Sequence, residues 1–351
     1  MTTAIEERRQ RVLQLLDAAR LLADPATPLG QRARLELPQE TGLSPENVAL
    51  CLEQHLETKV AARDLDALLA KSTPCRKAHV LLSANVFTAP LRAISLAVSQ
   101  SARVDVRPSR RQPLFTQLLW EASGGAFRVV KELGPAPEDH VWAYGRDESL
   151  EAVRDEMPAG VVFHGHASGF GIAAVTSESG ESASKVATAL VSDVFPFDQR
   201  GCLSPRIVLV RATTAWARDL CQEVVRALSA ANHDVPLGTL SEDEAAELTR
   251  YRDTMTYTGE LLHAGKSVIG FDERGNVLLP PVGRNLHLTC VEDFGSALAT
   301  VTSHVTSVGA PSALHAEFAQ LLPRARIALL GQQQRPPLDG PVDKRPVAEV
   351  L

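Results

Sequence analysis

Just before one apolar run, the chain reads Phe197-Asp198-Gln199-Arg200-Gly201-Cys202-Leu203-Ser204-Pro205. The glycine gives the backbone freedom to turn, and the final proline prevents a regular helix from continuing. We therefore expect Cys202 to be presented on a turn that leads into a strand at residues 207–210. A thiol there, next to Arg200 and Arg206, would have its thiolate favoured and act as a nucleophile. The alternative is a small buried apolar cysteine, because a lone cysteine needs partners elsewhere in the chain.

The composition is that of an ordinary folded protein. Its 351 residues are 44% hydrophobic and 22% charged, which leaves room for two domains with sizeable cores. The formal net charge of −6 argues against general binding of nucleic acid, although local basic clusters can still bind an anionic ligand.

The cysteines, the N-terminal sequence and the lack of a long apolar run together predict a reducing compartment. The five cysteines are odd in number and widely spaced, so they do not indicate a disulfide framework. The polar start Glu6-Glu7-Arg8-Arg9 carries no secretory pattern, and no apolar run approaches the roughly 20 residues that a membrane span needs. We therefore expect a cytoplasmic protein with no membrane span.

The first part of the chain predicts helices. Leucine and valine recur at helical spacing over residues 4–23, and a break rich in proline and glycine follows at 25–30. Residues 44–71 predict two more helices, the first with Ser44 as its N-cap and a proline at the first helical position. We expect residues 1–76 to form a helical region that caps or flanks the rest.

From residue 80 onward, short apolar runs alternate with helical patterns. The predicted strands are residues 80–82, 104–106, 127–130, 140–144 and 161–163. The predicted helices between them are residues 90–101, 112–122 and 148–156. This alternation predicts an α/β fold with a mostly parallel sheet, whose ligands bind at the carboxyl ends of strands. We therefore expect binding residues in the loops after Leu82, Val106 and Phe163.

These three loops carry polar side chains. They read Ser83-Ala84-Asn85-Val86-Phe87, Arg107-Pro108-Ser109-Arg110-Arg111 and His164-Gly165-His166-Ala167-Ser168-Gly169-Phe170-Gly171. Taken alone, Asn85 satisfies the backbone of a turn, and the arginines either face solvent or bind phosphate. A single His-x-His pair is a weak signal for zinc, so we predict no metal site. The glycines favour close approach of the backbone to a ligand.

Taken in order, these segments resemble the aldehyde dehydrogenase superfamily, and more closely the acyl-CoA reductases related to the fatty-acid reductase of bacterial bioluminescence. In that superfamily the three loops read Pro-Trp-Asn, Lys-Pro-Ser-Glu and Phe-Thr-Gly-Ser. Asn85 matches the asparagine, and residues 107–110 and 163–166 match the other two loops. The reductase branch also has segments similar to residues 198–205 and to the tail at 331–337.

The resemblance covers residues 77–345, with one departure that bears on the chemistry. Ordinary aldehyde dehydrogenases have a Glu-Leu-Gly-Gly segment between the third loop and the cysteine, and its glutamate activates the water that hydrolyses the acyl-enzyme. The interval from His166 to Cys202 contains no such segment, and its Glu178 and Glu181 lie in a polar stretch. This loss suits an enzyme that transfers the acyl group to hydride rather than to water.

The resemblance implies an aldehyde dehydrogenase-like fold, with two Rossmann-like α/β lobes and the site between them. We expect a cofactor-binding lobe over residues 77–195 and a catalytic cysteine lobe over residues 196–325. Residues 326–351 would form a C-terminal tail that contributes to oligomerisation, as in related dimers.

The resemblance also implies NADPH-dependent reduction of an acyl-CoA, or of an acyl-protein thioester, to an aldehyde. Cys202 would form the acyl-enzyme, and Asn85 with the backbone N–H of Cys202 would stabilise the oxyanion. The cofactor-binding residues would be Arg107, Ser109, Arg110, His164, Gly165 and His166.

Arg110 favours NADP(H), while NAD(H) stays open as the alternative. The family has a glutamate at this position that accepts hydrogen bonds from the adenosine ribose. An arginine accepts none, but it can pair with a 2′-phosphate. The alternative is that Arg110 points to solvent and tolerates either cofactor.

Two other functions stay open from the sequence. One is a CoA-acylating aldehyde dehydrogenase that works in the oxidative direction. The other is a degenerate, non-catalytic partner subunit, against which the retention of Cys202 and Asn85 argues. The expected partners are the thioester substrate, a second copy of the chain and an acyl-transfer protein, with no nucleic acid. The sequence does not set the length of the acyl chain.

Overall fold

Four helices form the N-terminal region of the structure, a computed structural model that describes residues 2–351, with side chains from residue 4 onward. They are α1 (Thr2–Ala23), α2 (Pro28–Thr41), α3 (Pro45–Gln54) and α4 (Ala62–Lys71). Helix α3 begins as predicted, because Ser44 Oγ accepts a hydrogen bond from Asn47 N at 3.1 Å. Helix α2 is missing from the sequence prediction because its prolines resemble helix breakers. Pro28, however, occupies the first turn, where no N–H is needed.

A parallel sheet follows the helical region. Its strands are β1 (Ala78–Leu81), β2 (Val104–Arg107), β3 (Arg128–Val129), β4 (His140–Tyr144) and β5 (Val162–His166). Its helices are α5 (Ala89–Val98), α6 (Leu114–Ala122) and α7 (Asp147–Asp155). The strands lie in the order β5-β4-β1-β2-β3 and all pair in parallel, which confirms the predicted α/β alternation.

A second sheet of seven strands forms the other lobe. Its strands are β6 (Phe170–Thr176), β7 (Pro205–Arg211), β8 (Glu260–Ala264), β9 (Ser267–Asp272), β10 (Leu286–Cys290), β11 (Val305–Ala310) and β12 (Arg326–Leu329). Its helices are α8 (Ala183–Val194), α9 (Thr214–Asp234), α10 (Glu242–Thr258), α11 (Phe294–Leu298) and α12 (His315–Leu321). The order is β12-β11-β6-β7-β10-β9-β8, parallel throughout except for the β8–β9 pair.

The change from one sheet to the other occurs earlier than predicted. It lies between His166 and Phe170 rather than at residue 195, so β6 and α8 belong to the second lobe. The segment His164-Gly165-His166 ends strand β5 and is not a loop. Strand β6 was not recognised because glycine and alanines interrupt its apolar pattern. One of these, Gly171, is required by packing, since a Cβ there would lie 2.3 Å from Leu203 O.

The C-terminal tail returns to the first sheet of the same chain. Its strand β13 (Glu349–Val350) pairs antiparallel with β5, and Leu351 N donates to Val161 O at 3.0 Å. The tail begins later than predicted, because β12 at residues 326–329 is the edge strand of the second sheet. Its contribution to oligomerisation stays a prediction.

The helical region and the first lobe share one hydrophobic core. Leu15 and Leu16 of α1 are fully buried in the same core as Val80 of β1, Ile94 of α5 and Leu118 of α6. The N-terminal helices therefore flank the first sheet through the helices that cover one of its faces. Among the described helices, none combines the length and the apolar character that a membrane crossing requires.

Candidate functional site

Cys202 follows a turn of unusual backbone geometry. Phe197, Asp198 and Gln199 have φ angles of 56°, 50° and 66°, so three successive non-glycine residues adopt the left-handed conformation. Each such residue costs about 1–3 kcal/mol. The surrounding structure must therefore supply the interactions that hold this turn.

The buried carboxylate of Asp198 makes several of these interactions. Its Oδ1 accepts hydrogen bonds from Arg284 Nε and from Asn47 Nδ2, both at 2.9 Å. Its Oδ2 accepts a hydrogen bond from the backbone N–H of Gly238 at 2.9 Å. Because Asn47 lies on α3, the N-terminal helical region is attached directly to the turn before Cys202.

Gln199 and Ser204 fix the two sides of the cysteine. Gln199 Nε2 donates to the backbone carbonyls of Pro205 at 2.8 Å and Asn285 at 2.6 Å, so its side chain spans the turn. Ser204 Oγ accepts a hydrogen bond from Gln334 Nε2 at 2.9 Å. The Asp-Gln-x-Gly-Cys-Leu-Ser-Pro pattern is thus explained by hydrogen bonds that position the cysteine.

The glutamine-rich segment after β12 supports the same turn. Gln333 Nε2 donates to Leu203 O at 3.3 Å and to Ser307 Oγ at 2.9 Å. The buried carboxylate of Asp193 on α8 accepts hydrogen bonds from the backbone N–H groups of Gly331 at 2.6 Å and Gln333 at 2.8 Å. The tail motif singled out in the sequence therefore has a structural role next to the cysteine.

The two arginines beside Cys202 do not promote its ionisation, so that prediction was wrong. Arg200 Nε donates to Glu244 Oε1 at 3.0 Å, and Arg206 Nε donates to a backbone carbonyl at 2.7 Å. Burial raises the pKa of Cys202 to about 11, and the nearby carboxylate of Asp343 adds to this rise. The cysteine is therefore a protonated thiol at neutral pH.

Asn85 lies on the loop after β1, which packs against the cysteine turn. Its φ is 117°, and its backbone N–H donates to Gln112 Oε1 at 2.9 Å. The next residue, Val86, makes the contact: a Cβ placed on Gly201 would lie 3.2 Å from Val86 Cγ2. The structure thus brings Asn85 and Cys202 onto two neighbouring segments.

A cavity of about 530 Å³ opens beside these two segments. The loops after β1, β2, β4 and β5 line it, so it lies across the carboxyl ends of four parallel strands. The cysteine turn, helix α5 and the C-terminal tail complete its walls. Its polar side chains include those of Asn85, Ser109, Tyr144, His166, Cys202 and Asp343.

Four of the predicted site residues line this cavity, namely Asn85, Ser109, His166 and Cys202. Arg107 is half-buried at the end of β2 and Arg110 is exposed, and in the described part of the chain both lie outside the lining. Gly165 packs against Phe163, where a Cβ would lie 2.9 Å from Cε1 of the ring. The glycine at 165 therefore also serves packing, and its contact with a cofactor stays a prediction.

The two histidines of β5 have different surroundings. His164 stacks on Trp142 with ring centroids 4.5 Å apart, and its Nε2 lies 3.1 Å from His140 Nδ1. His166 stacks on Tyr144 at 4.6 Å and lines the cavity. Burial lowers the pKa of His166 to about 4, so its ring is neutral at pH 7. Its buried Nδ1 has no hydrogen-bond partner among the described residues.

Sequence reasoning missed several polar residues of the cavity, among them Tyr144, Arg146 and Asp343. Tyr144 ends a predicted strand and Arg146 follows it, so the rule about strand ends was a sufficient signal for both. Asp343 lies in the proline-rich tail, where no local pattern points to a site formed by distant segments.

The residues of the cavity fit a nicotinamide cofactor. The unpartnered Nδ1 of His166 is a buried polar atom that a ligand can satisfy. Arg111 and Arg146 add positive charge at the strand ends, where pyrophosphate groups bind in such sheets. Within residues 4–351, His, Cys, Asp and Glu side chains form no group of three or more arranged to hold a metal ion.

Replacing Arg284 with leucine should lower the free energy of unfolding by about 3–5 kcal/mol, because it leaves the buried Asp198 carboxylate without its charged partner. Urea denaturation followed by circular dichroism measures the change. The control is Arg218→Leu, which removes exposed pairs with Glu260 and Glu273 and should cost far less. Equal losses in the two variants would contradict the role given to the buried pair.

Iodoacetamide should alkylate Cys202 slowly at pH 7 and about tenfold faster for each added pH unit below its pKa, because only the thiolate reacts. Mass mapping of tryptic peptides over time measures the rate. Cys51 and Cys221 are buried and should stay unmodified in the folded protein, which makes them internal controls. A rate that reaches its plateau below pH 8 would contradict the raised pKa.

Three solved structures show how this fold relates to known proteins. An oxidoreductase from Marinobacter aquaeolei superposes with a TM-score of 0.72 at 11% identity, over 98% of this chain and 85% of its own. The NAD-dependent benzaldehyde dehydrogenase from Corynebacterium glutamicum superposes with a TM-score of 0.69 at 12% identity, over 97% of this chain and 84% of its own. An NAD-dependent aldehyde dehydrogenase from Sinorhizobium meliloti superposes with a TM-score of 0.68 at 15% identity, over 92% of this chain and 74% of its own. The predicted aldehyde dehydrogenase-like fold is confirmed.

Comparison at the level of sequence identifies the family. No curated protein sequence matches the chain. The family model described as Acyl-CoA reductase (LuxC) matches residues 129–335, which is more than half of the chain and includes the cysteine turn. The resemblance found in the sequence motifs is thereby confirmed, and the chain belongs to the acyl-CoA reductase (LuxC) family.

Proposed function

We propose that the protein reduces an acyl-CoA, or an acyl-protein thioester, to an aldehyde with NADPH through an acyl group bound to Cys202. The observation that carries the proposal is the position of this cysteine. A fixed turn presents its thiol to a cavity at the carboxyl ends of four parallel strands, next to the Asn85 loop. Membership of the family supports the same class of reaction.

In the first half-reaction the acyl group moves to the enzyme. The Cys202 sulfur forms a bond to the thioester carbon, the bond from that carbon to the coenzyme A sulfur breaks, and the thiol proton leaves with coenzyme A. The Asn85 amide and the backbone N–H of Cys202 donate hydrogen bonds to the oxyanion. Loss of one such donor typically costs about 3–4 kcal/mol.

In the second half-reaction the acyl-enzyme is reduced. When bound, NADPH would supply a hydride to the acyl carbon on Cys202, and a proton from solvent would complete the thiohemiacetal. Collapse of the thiohemiacetal breaks the carbon–sulfur bond, releases the aldehyde and returns the thiol. One acyl-CoA, one NADPH and one proton thus give aldehyde, coenzyme A and NADP⁺. The same residues serve the reverse, CoA-acylating direction.

The interval between β5 and the cysteine supports transfer to hydride rather than to water. Glu181 pairs with Lys185 at 2.6 Å, and Glu178 lies on a short turn of 3₁₀-helix at Ser177–Ser179. Within the described residues, neither carboxylate lines the cavity. A glutamate that would activate water from this segment, as in ordinary aldehyde dehydrogenases, is therefore not at the site.

The apolar wall of the cavity suits an uncharged acyl chain. One face of α5 contributes side chains spaced three or four residues apart, and the cysteine turn and the tail add two more. These residues are Ala89, Ala93, Leu96, Phe197 and Pro336. Arg92 and Glu57 also line the cavity, but they neutralise each other in an ion pair. The wall is mostly aliphatic, as expected for a hydrocarbon substrate.

The loop after β2 supports NADPH as the cofactor. Arg107, Arg110 and Arg111 lie within five residues at the carboxyl end of β2, around Ser109 in the cavity wall. An acidic residue at position 110 would repel a 2′-phosphate, whereas guanidinium groups can pair with it.

Cys202→Ala should abolish both the acyl adduct and aldehyde formation while leaving the fold intact. Asn85→Gly, which preserves the backbone conformation and removes the amide, should slow aldehyde formation by about 100-fold to 1000-fold. The measurements are the intact mass after incubation with an acyl-CoA and the rate of NADPH consumption across acyl chain lengths.

The matched control for this experiment is Cys290→Ala, since Cys290 is a half-buried cysteine at the end of β10 on the second sheet. It should keep both the adduct and the activity. An acyl adduct on the Cys202→Ala protein would show that the nucleophile is wrongly assigned. Activity lost equally in both variants would also count against it.

Arg110→Glu should weaken NADPH binding by about tenfold to 100-fold and leave NADH binding little changed, because a charge-assisted bond to phosphate contributes about 1.5–3 kcal/mol. Titration of both cofactors by fluorescence measures the affinities. Arg103→Glu is the control, since it makes the same charge change next to the opposite end of β2. Equal affinities in the wild type, or no selective loss in Arg110→Glu, would remove the basis for NADP(H).

A further inference from the structure

The C-terminal arm, defined as residues 336–347, forms one wall of the cavity and is held by two buried arginines. Arg92 of α5 donates to two backbone carbonyls of the arm, at 2.9 Å and 2.8 Å. Arg326 of β12 donates to a third carbonyl at 2.9 Å and pairs with Asp339 at 2.8 Å. Because α5 belongs to the first lobe and β12 to the second, the arm is attached to both.

The arm places a buried carboxylate in the cavity wall, paired with an arginine behind it. Asp343 lines the cavity, and only 7% of its surface is exposed. Arg345 forms a bidentate ion pair with this carboxylate, in which Nε lies 2.9 Å from Oδ1 and Nη2 lies 2.8 Å from Oδ2. The same guanidinium donates to Ser168 O at 3.1 Å and to Ser303 O at 2.8 Å. The pair is therefore fixed in place by segments of both lobes.

The thiol of Cys202 shares the cavity with Asp343 and with two uncharged rings. Tyr144 and His166 stack on each other, and burial raises the pKa of the phenol and lowers that of the imidazole. Both rings are therefore neutral at pH 7. The charged groups that act on the thiol are Asp343, which opposes its ionisation, and Arg345 and Arg326, which favour it.

We propose that Asp343 and Arg345 are positioning residues that set the reactivity of Cys202, because the carboxylate lines the same cavity as its sulfur and the guanidinium is paired with that carboxylate. At a buried site, a fixed charge acts more strongly on a neighbouring ionisable group than it does in open solvent. The carboxylate disfavours the thiolate and the guanidinium favours it, so the balance between them determines how readily the sulfur becomes a nucleophile. The inference rests on the proposed function, because it takes Cys202 as the nucleophile.

The two members of the pair have opposite effects, which makes the proposal specific. Removing the Asp343 charge leaves the positive charge of Arg345 without its partner and should favour the thiolate. Removing the Arg345 charge leaves an uncompensated carboxylate and should disfavour it. A role limited to fastening the arm would give the same sign in both variants, because each breaks the same ion pair.

The test is the pH profile of Cys202 alkylation by iodoacetamide in the wild type, Asp343→Asn and Arg345→Met. We expect the rate at pH 8 to rise about threefold to tenfold in Asp343→Asn and to fall by a similar factor in Arg345→Met. Asp343→Glu should return the profile to that of the wild type. Thermal denaturation of each variant shows whether it is folded.

The matched control is Asp339→Asn, which removes the carboxylate that pairs with Arg326 and Lys71, at a position outside the cavity lining of the described residues. It should leave the Cys202 profile unchanged. Changes of the same sign in Asp343→Asn and Arg345→Met, or an Asp339→Asn profile like that of Asp343→Asn, would overturn the proposal. The assay needs neither acyl-CoA nor NADPH, so its outcome is independent of whether Cys202 becomes acylated.

Discussion

One buried carboxylate, that of Asp198, holds the region on which the rest of the site depends. Three consecutive left-handed residues are unfavourable in isolation, and their shape persists because Arg284, Asn47 and the N–H of Gly238 all converge on this group. Its partners come from the N-terminal helices and the second lobe, so the turn forms only when these parts have assembled. The cysteine that follows thereby obtains a fixed direction toward the cavity.

The two lobes contribute different parts of the site. The first sheet supplies four loops at its strand ends, a geometry suited to a nucleotide and to the donors around a reacting carbonyl. The second supplies the cysteine on a turn held by several buried hydrogen bonds. The thiol lies where these contributions meet, in surroundings that raise its pKa.

The sequence predicted the features that are set by local or repeating physical constraints. Buried parallel strands require short apolar runs, and the cysteine turn required its glycine and proline, so the α/β alternation and the turn that presents Cys202 were predictable. Strand β6 was not, because packing against Leu203 requires a glycine at position 171. Arg200 and Arg206 were misjudged, since their side chains bond to Glu244 and to a backbone carbonyl instead of approaching the thiol. Asp343 and Arg345 are close in sequence, but the place of Asp343 in the cavity wall depends on the return of the C-terminal arm to the first lobe, which no local pattern encodes.

The chain crosses between the lobes twice, first at residues 167–169 and again through the segment between β12 and β13. Arg345 connects the two crossings, since it donates to Ala167 O and Ser168 O from within the second one. Any change in the relative position of the two crossings therefore has to break these hydrogen bonds.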